Sequence, residues 1–487
     1  MATILVLGGG VIGLSTAMLL ARQGHDVTVF ERDSEPLPGS PEEAWHAWER
    51  RGVAQFRQAH YLQPPVGHLL DSHLPDVKEA LLRVGCVTFD VLATMPPSIT
   101  DRTPREGDER FITITGRRPA IEYAVASVAE RLLPVRRGAS VVGLLTGRSA
   151  AKGIPHVRGV RTMEGEEVSA DLIVDAMGRG SKLPNWLEAI GARRPIEEAE
   201  DSGFIYYTRF FRSTTGVAPP CRAALLTYFH SFSLLTLPGD AGTWSVTVFI
   251  SSVDQALKKL RDPKHWTALV AACPLHAHWL DGEPITDVLP MGGIIDRYRR
   301  FVVDGVPVAT GIVSVGDSWA CTNPSLGRGI TMGLMHALGT VEIVRQHLDH
   351  PLALTLAQDS MTETRVTPWY RNTIEIDRTR IARLNALIEG RPEPQPTDPP
   401  EACLEKPVGE HGSFGFAPAR IANALLVATM YDADLFRAST EFRSVLALPQ
   451  EVMARSGVVD RIMEVAATHE AVMPPGPSRE ELLHMLA

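Results

Sequence analysis

Residues 3–31 read TILVLGGGVIGLSTAMLLARQGHDVTVFE, and this stretch decides the fold. Thr3–Leu7 is a continuous apolar run of strand length, as expected for a strand buried on both faces. Three glycines end it. From Val11 to Gln23 the apolar spacing becomes helical, with Gly13, Ala17, Leu20 and Ala21 on one face, and Gly24 closes the helix. Asp26–Glu31 then reads as a second strand, completing a βαβ unit with a glycine-rich first turn. In Gly8-x-Gly10-x-x-Gly13 the first glycine allows the tight turn. The second lets a diphosphate approach the backbone, and the third lets helix pack on strand. Glu31 stands at the end of the second strand, where a carboxylate can accept both ribose hydroxyls of an adenosine.

Outward from this unit, residues 36–75 are rich in Pro, His and Gln and read as long loops. A helix is expected at about 119–133, strands near 139–145 and 156–162, and an apolar strand at Asp171–Ala176. Residues 203–251 change character. Thr243–Ser251 (TWSVTVFIS) alternates strictly, and 203–211 and 224–237 are similarly β-rich, the pattern of an antiparallel sheet with one face open. α/β character returns at Val306–Val315, a strong helix starts near Gly329, and the chain after 350 is helical apart from GRPEPQPTDPP at 390–400. The fold class is α/β: a Rossmann-like domain of discontinuous segments (1–185 and 291–350), a β-sheet substrate domain (186–290) and a helical C-terminal region (351–487).

The 487 residues are 44% hydrophobic and 22% charged, an ordinary globular composition, and the net charge of −9 disfavours nucleic acid and anionic lipid. No run reaches 18 apolar residues, so no integral membrane segment is expected. The apolar N-terminal run lacks a preceding basic residue and is broken by Gly8–Gly10, unlike a leader. Five cysteines without a CxxC pair give neither a disulfide framework nor a zinc site and fit a cytoplasmic protein. HExxH, GxSxG and Walker-lysine patterns are absent, and His276-Ala-His278 reads as packing, so no metal is expected.

Three landmarks in order carry a resemblance. After the first glycine turn come Asp175-Ala-Met-Gly178-Arg-Gly-Ser181, then Gly316-Asp317, then Asn323-Pro324-Ser-Leu-Gly327-Arg-Gly329 opening a helix. Over roughly 350 residues the chain resembles FAD-dependent monooxygenases of the aromatic-hydroxylase and squalene-epoxidase type. It departs from the usual Asp-Gly at Asp175-Ala176. Arg51 to Gln55, with His60, is similar to that family's arginine-glutamine loop beside the flavin, and Arg118 to the arginine opening its next FAD-contacting helix. Pro368–Gly390 is similar to bacterial polyether-type epoxidases, and reads equally well as an amphipathic packing helix.

The resemblance implies FAD held by Gly8, Gly10, Gly13, Glu31, Arg32, Arg51, Gln55, Arg118, Asp175, Gly178, Gly316, Asp317, Asn323, Pro324, Gly327 and Gly329. It implies reduction by NAD(P)H or by a separate flavin reductase, and transfer of one oxygen atom of O2 through a flavin C4a-hydroperoxide to a small lipophilic substrate. No protein acid or base is nominated. His60, Tyr206, Tyr207, Arg209, His230 and Phe249 are the pocket candidates. Three alternatives stay open: an FAD-dependent reductase of a prenyl or polyene chain, a flavin dehydrogenase, and a non-catalytic flavin-binding redox module. A halogenase is disfavoured because its WxWxIP pattern is absent. On the Trp244 strand, either the even face (Trp244, Val246, Val248, Ile250) is core with Phe249 toward the pocket, or the even face lines an apolar channel. The second is favoured, since the pocket candidates carry few charges.

Overall fold

The computed structural model describes residues 1–149, 151–392 and 419–487. Strand β1 (Thr3–Leu7), helix α1 (Val11–Arg22) and strand β2 (Asp26–Glu31) form the expected βαβ unit. β1 sits at the centre of a five-stranded parallel sheet. On one side it pairs with β2 and then Val135–Arg137, on the other with Leu172–Asp175 and then Ile312–Ser314. Strand order therefore departs in both directions from β1, and a crevice opens at its C-terminal end, where open α/β sheets bind ligands.

Both faces of this sheet are covered. Ile4, Val6, Val27 and Val29 pack on one face against α1 and the helices Arg118–Leu132 and Gly329–His347. Leu5, Leu7, Phe30 and Ile173 pack on the other against the antiparallel strands Val141–Thr146 and Val157–Thr162. Burial on both sides is why these strands read as unbroken apolar runs.

The region 36–75 is not loop throughout. Helices run over Pro41–His46 and Pro65–His73, and another follows at Pro75–Arg83. Each begins on a proline, which is tolerated at the first helical position because that N–H has no intrahelical partner. The prolines were helix starts, not breaks. From residue 393 the proline-rich stretch lies outside the described residues, as does Cys403.

The antiparallel sheet is built from Phe204–Arg212, Leu226–Tyr228, Ser233–Pro238 and Thr243–Ser251, with Glu283–Pro284 and Leu289–Met291 added to its edge. Its two faces correct the channel expectation. Trp244, Val246, Val248 and Ile250 are buried against Phe211, Trp266, Leu269, Trp279 and the C-terminal Leu482 and Leu486. This face is packed core, because the helix Pro263–Ala271 covers it. The opposite face carries Tyr206 and Phe249 and meets Ile294 and Leu384. Among the described residues, no helix is long and apolar enough to cross a membrane.

Candidate functional site

At the C-terminal end of β1 lies a cavity of about 390 Å³, running from Gly8, Gly10 and Gly13 to Asp317, Pro324, Gly327 and Gly329. The three first-turn glycines have separable reasons. Gly8 holds φ at +111°, and a Cβ there would stand 2.4 Å from the Ala176 carbonyl oxygen. A Cβ on Gly13 would come within 2.0 Å of the Gly8 carbonyl oxygen. A Cβ on Gly10 meets nothing within 4 Å. Gly10 thus keeps the start of α1 bare, and the unsatisfied first-turn N–H groups make an anion site.

Glu31 lines the cavity, but its oxygens already accept protein hydrogen bonds. Oε2 accepts from the Gly9 amide (2.8 Å) and Arg50 (3.1 Å), and Oε1 from the Asp33 amide (2.9 Å). Arg50 is the buried hub of this end. Its guanidinium also donates to the Gly9 carbonyl (2.9 Å) and reaches Glu122 (3.3 Å) and Asp33 (3.7 Å). Burial and the Glu31 charge push the Asp33 carboxyl above its usual range. By resemblance, Arg51 is expected in the loop beside the flavin. Arg51 is exposed and outside the cavity wall, whereas Arg50 faces three carboxylates from two distant segments. Nothing in the local pattern separates the two arginines.

Arg32, Gln55, Arg118 and His60 all line the cavity. Arg118 donates to Glu122 (2.8 Å) and stands 3.1 Å from His60 Nε2. His60 Nδ1 lies 3.1 Å from the Gln58 carbonyl, which can only accept, so we assign the proton to Nδ1 and leave Nε2 as acceptor for Arg118. Burial, reinforced by the Arg118 charge, pushes the imidazole pKa down to about 3. His60 is a neutral support for Arg118.

Three expected cofactor contacts sit behind the wall instead. Asp175 is fully buried and accepts from Ser181 Oγ (2.6 Å), the Met177 amide (3.0 Å) and Ser314 Oγ (3.2 Å), so it fixes the loop that presents Gly178 and Arg179. Gly316, at φ +61°, packs on Ile12 and aims the next residue, Asp317, into the cavity. Asp317 is half-buried, and lost water raises its carboxyl above the usual range. Asn323 is turned away. Its Oδ1 accepts from the Tyr206 hydroxyl (2.8 Å), its Nδ2 donates to Asp377 (3.0 Å) and its amide to Asp296.

Of the pocket candidates, only His60 lines this cavity. Tyr206 and Phe249 are buried and stacked at 5.0 Å. Tyr207 points into the opposite core, Arg209 is bonded to the Thr286 carbonyl (3.1 Å), and His230 is exposed. Alternation identified their strands but not which strands reach the crevice. The residues of this region that do are Met291, at the sheet edge, and Ile294, in the link that follows it. Also unforeseen in the wall are Asp33, Arg179 and Lys182. Five basic side chains (Arg32, Arg50, Arg118, Arg179, Lys182) against three carboxylates (Glu31, Asp33, Asp317) make a wall suited to a diphosphate. Arg179 Nε is buried without a partner, and the bare backbone at Gly10 and Gly329 leaves room for close approach. These features fit a dinucleotide laid along the crevice.

Comparison with known proteins decides which. The family described as FAD dependent oxidoreductase matches residues 3–63. Protein Rv3254 of Mycobacterium tuberculosis is 30% identical over 363 residues, 68% of this chain and 70% of that one. The chain belongs to the FAD-dependent oxidoreductases. Zeaxanthin epoxidase of Prunus armeniaca is 30% identical over 220 residues, 42% of this oxidoreductase but only 28% of the epoxidase. Among solved structures, PqsL of Pseudomonas aeruginosa superposes with TM-score 0.56 at 14% identity, covering 80% of this chain and 99% of its own. The flavin-dependent brominase Bmp2 gives 0.55 at 14%, covering 79% and 89%. The Diels-Alderase PyrE3 gives 0.53 at 19%, covering 80% and 76%. These three share the fold.

Proposed function

We propose that this oxidoreductase is a flavin monooxygenase: it transfers one oxygen atom of O2 to a small lipophilic organic substrate, and the other leaves as water at the expense of two electrons. FAD supplies electron storage and oxygen activation when bound. The observation that carries the reading is the far end of the cavity. There Pro324, Gly327 and Gly329 put the N-terminal end of the helix Gly329–His347 against the crevice. That end would stabilise negative charge on a bound flavin by about 0.3–2 kcal/mol. The amides at the other helix start, beside Gly10, would hold the diphosphate, and Asp317 would accept from the ribityl hydroxyls.

His60, neutral and bonded on both nitrogens, offers neither acid nor base, which suits oxygen transfer to an alkene, where none is needed. Similarity to an epoxidase points the same way. Met291 and Ile294 are apolar, in keeping with a lipophilic substrate. We assign cofactor binding to residues 1–185 and 291–350, substrate contact to 186–290 and a supporting role to 351–487. The electron donor is NAD(P)H or a separate reductase, and cysteine usage fits the cytoplasm.

The test is product analysis under labelled dioxygen, with NADPH or a flavin reductase and a polyene substrate. A mass gain of about 16 Da in unlabelled oxygen, shifting with the label, supports the proposal. A saturated, unlabelled product formed anaerobically overturns it in favour of a reductase.

A further inference from the structure

The helix Thr367–Ile388 does more than pack. Its buried Asn372 and Thr373 accept from the Arg328 guanidinium at 2.8 and 3.1 Å. One turn further on, the buried Asp377 carboxylate accepts from Asn323 Nδ2 at 3.0 Å and from Ser325 Oγ at 2.6 Å. One helix therefore grips both ends of the turn 323–328, while Pro324 and Gly327 of that turn line the cavity. A helix that only packed would carry an apolar residue at 377, because a buried carboxylate costs free energy that neutral donors recover only in part. Burial does act on it, pushing its pKa up to about 6.

We propose that Asp377 is a positioning residue for the flavin: from behind the wall it fixes Asn323 and Ser325, so that the cavity-facing backbone of the turn is set before the ring arrives. This rests on the FAD reading. The carboxylate also puts negative charge on the far side of the turn, which disfavours adding electrons to the ring.

The experiment compares wild-type holoenzyme with Asp377→Asn, which keeps the shape and removes the charge, and Ser325→Ala, which removes one arm and keeps the charge. The midpoint potential of bound FAD and its release rate on dilution are measured. Expected are a more positive potential for Asp377→Asn and faster release from both, by up to about tenfold for the arm lost in Ser325→Ala. Wild-type potential and release in Asp377→Asn, even with a lower melting temperature, would overturn the proposal and leave the residue a structural part. Should that variant fail to fold, Ser325→Ala decides alone: faster release supports it, unchanged release sinks it. Failure of the FAD reading is distinct and earlier, since the purified wild type would then hold no flavin.

Discussion

A carboxylate that bonds ribityl hydroxyls contributes about 1.5–3 kcal/mol, so Asp317→Ala should weaken FAD binding by roughly tenfold or more. Wild-type flavin content after long dialysis would contradict the role given to Asp317. Arg50 and Arg51 make a sharper contrast. Removing Arg50 leaves Glu31, Asp33 and Glu122 together without their shared cation. Arg50→Met should cost about 3–5 kcal/mol in urea unfolding, whereas Arg51→Met should stay within about 0.5 kcal/mol of wild type. The resemblance points to Arg51 beside the flavin and is silent on Arg50, since the partners of Arg50 come from residues 31–33 and 122 and proximity across the chain leaves no local pattern. Asn323 is the same lesson reversed: its motif was visible, but its inward turn depends on Tyr206 and Asp377, 117 and 54 residues away.

At the scale of elements, the βαβ unit was legible because its strands are buried on both faces and its glycines answer to backbone geometry rather than to partners. The same geometry separates folding from binding. Gly13→Ala forces a Cβ to 2.0 Å from a carbonyl oxygen of the preceding turn, so the unit cannot close and soluble yield should collapse. Gly10→Ala puts its Cβ where nothing stands within 4 Å, so the protein should fold with wild-type circular dichroism and yet bind FAD poorly. Equal flavin content in Gly10→Ala and wild type would remove the diphosphate from that turn. Less legible were elements whose meaning depends on what covers them. The even face of Thr243–Ser251 is equally apolar as channel or as core, and only the helix Pro263–Ala271 lying on it selects core. Pro41, Pro65 and Pro75 likewise read as loop until each is seen to start a helix.

Across the whole molecule, buried titratable groups of opposite kind pull stability in opposite directions as pH falls. His336 is fully buried, with Nε2 2.9 Å from Gln358 Nε2, and burial pushes its pKa down to about 3. Below pH 6.5 the unfolded chain takes a proton there that the folded protein refuses, so the wild type loses about 1.4 kcal/mol per pH unit through this residue until about pH 3. Asp377 behaves oppositely. Its folded pKa of about 6 lies above the unfolded 3.8, so the folded state takes the proton first and gains stability as pH falls between those values. Unfolding should therefore be followed by urea titration from pH 7 to 4, at a fixed excess of FAD. Relative to wild type, His336→Gln should become more stable as pH falls below 6.5, and Asp377→Asn less stable as pH falls below 6. The two difference curves should slope in opposite directions by about 1 kcal/mol per pH unit. Parallel or flat curves would mean that these two sites are ordinary in their proton affinity, and that neither the imidazole beside Gln358 nor the carboxylate behind Asn323 is held in the protonation state its surroundings impose.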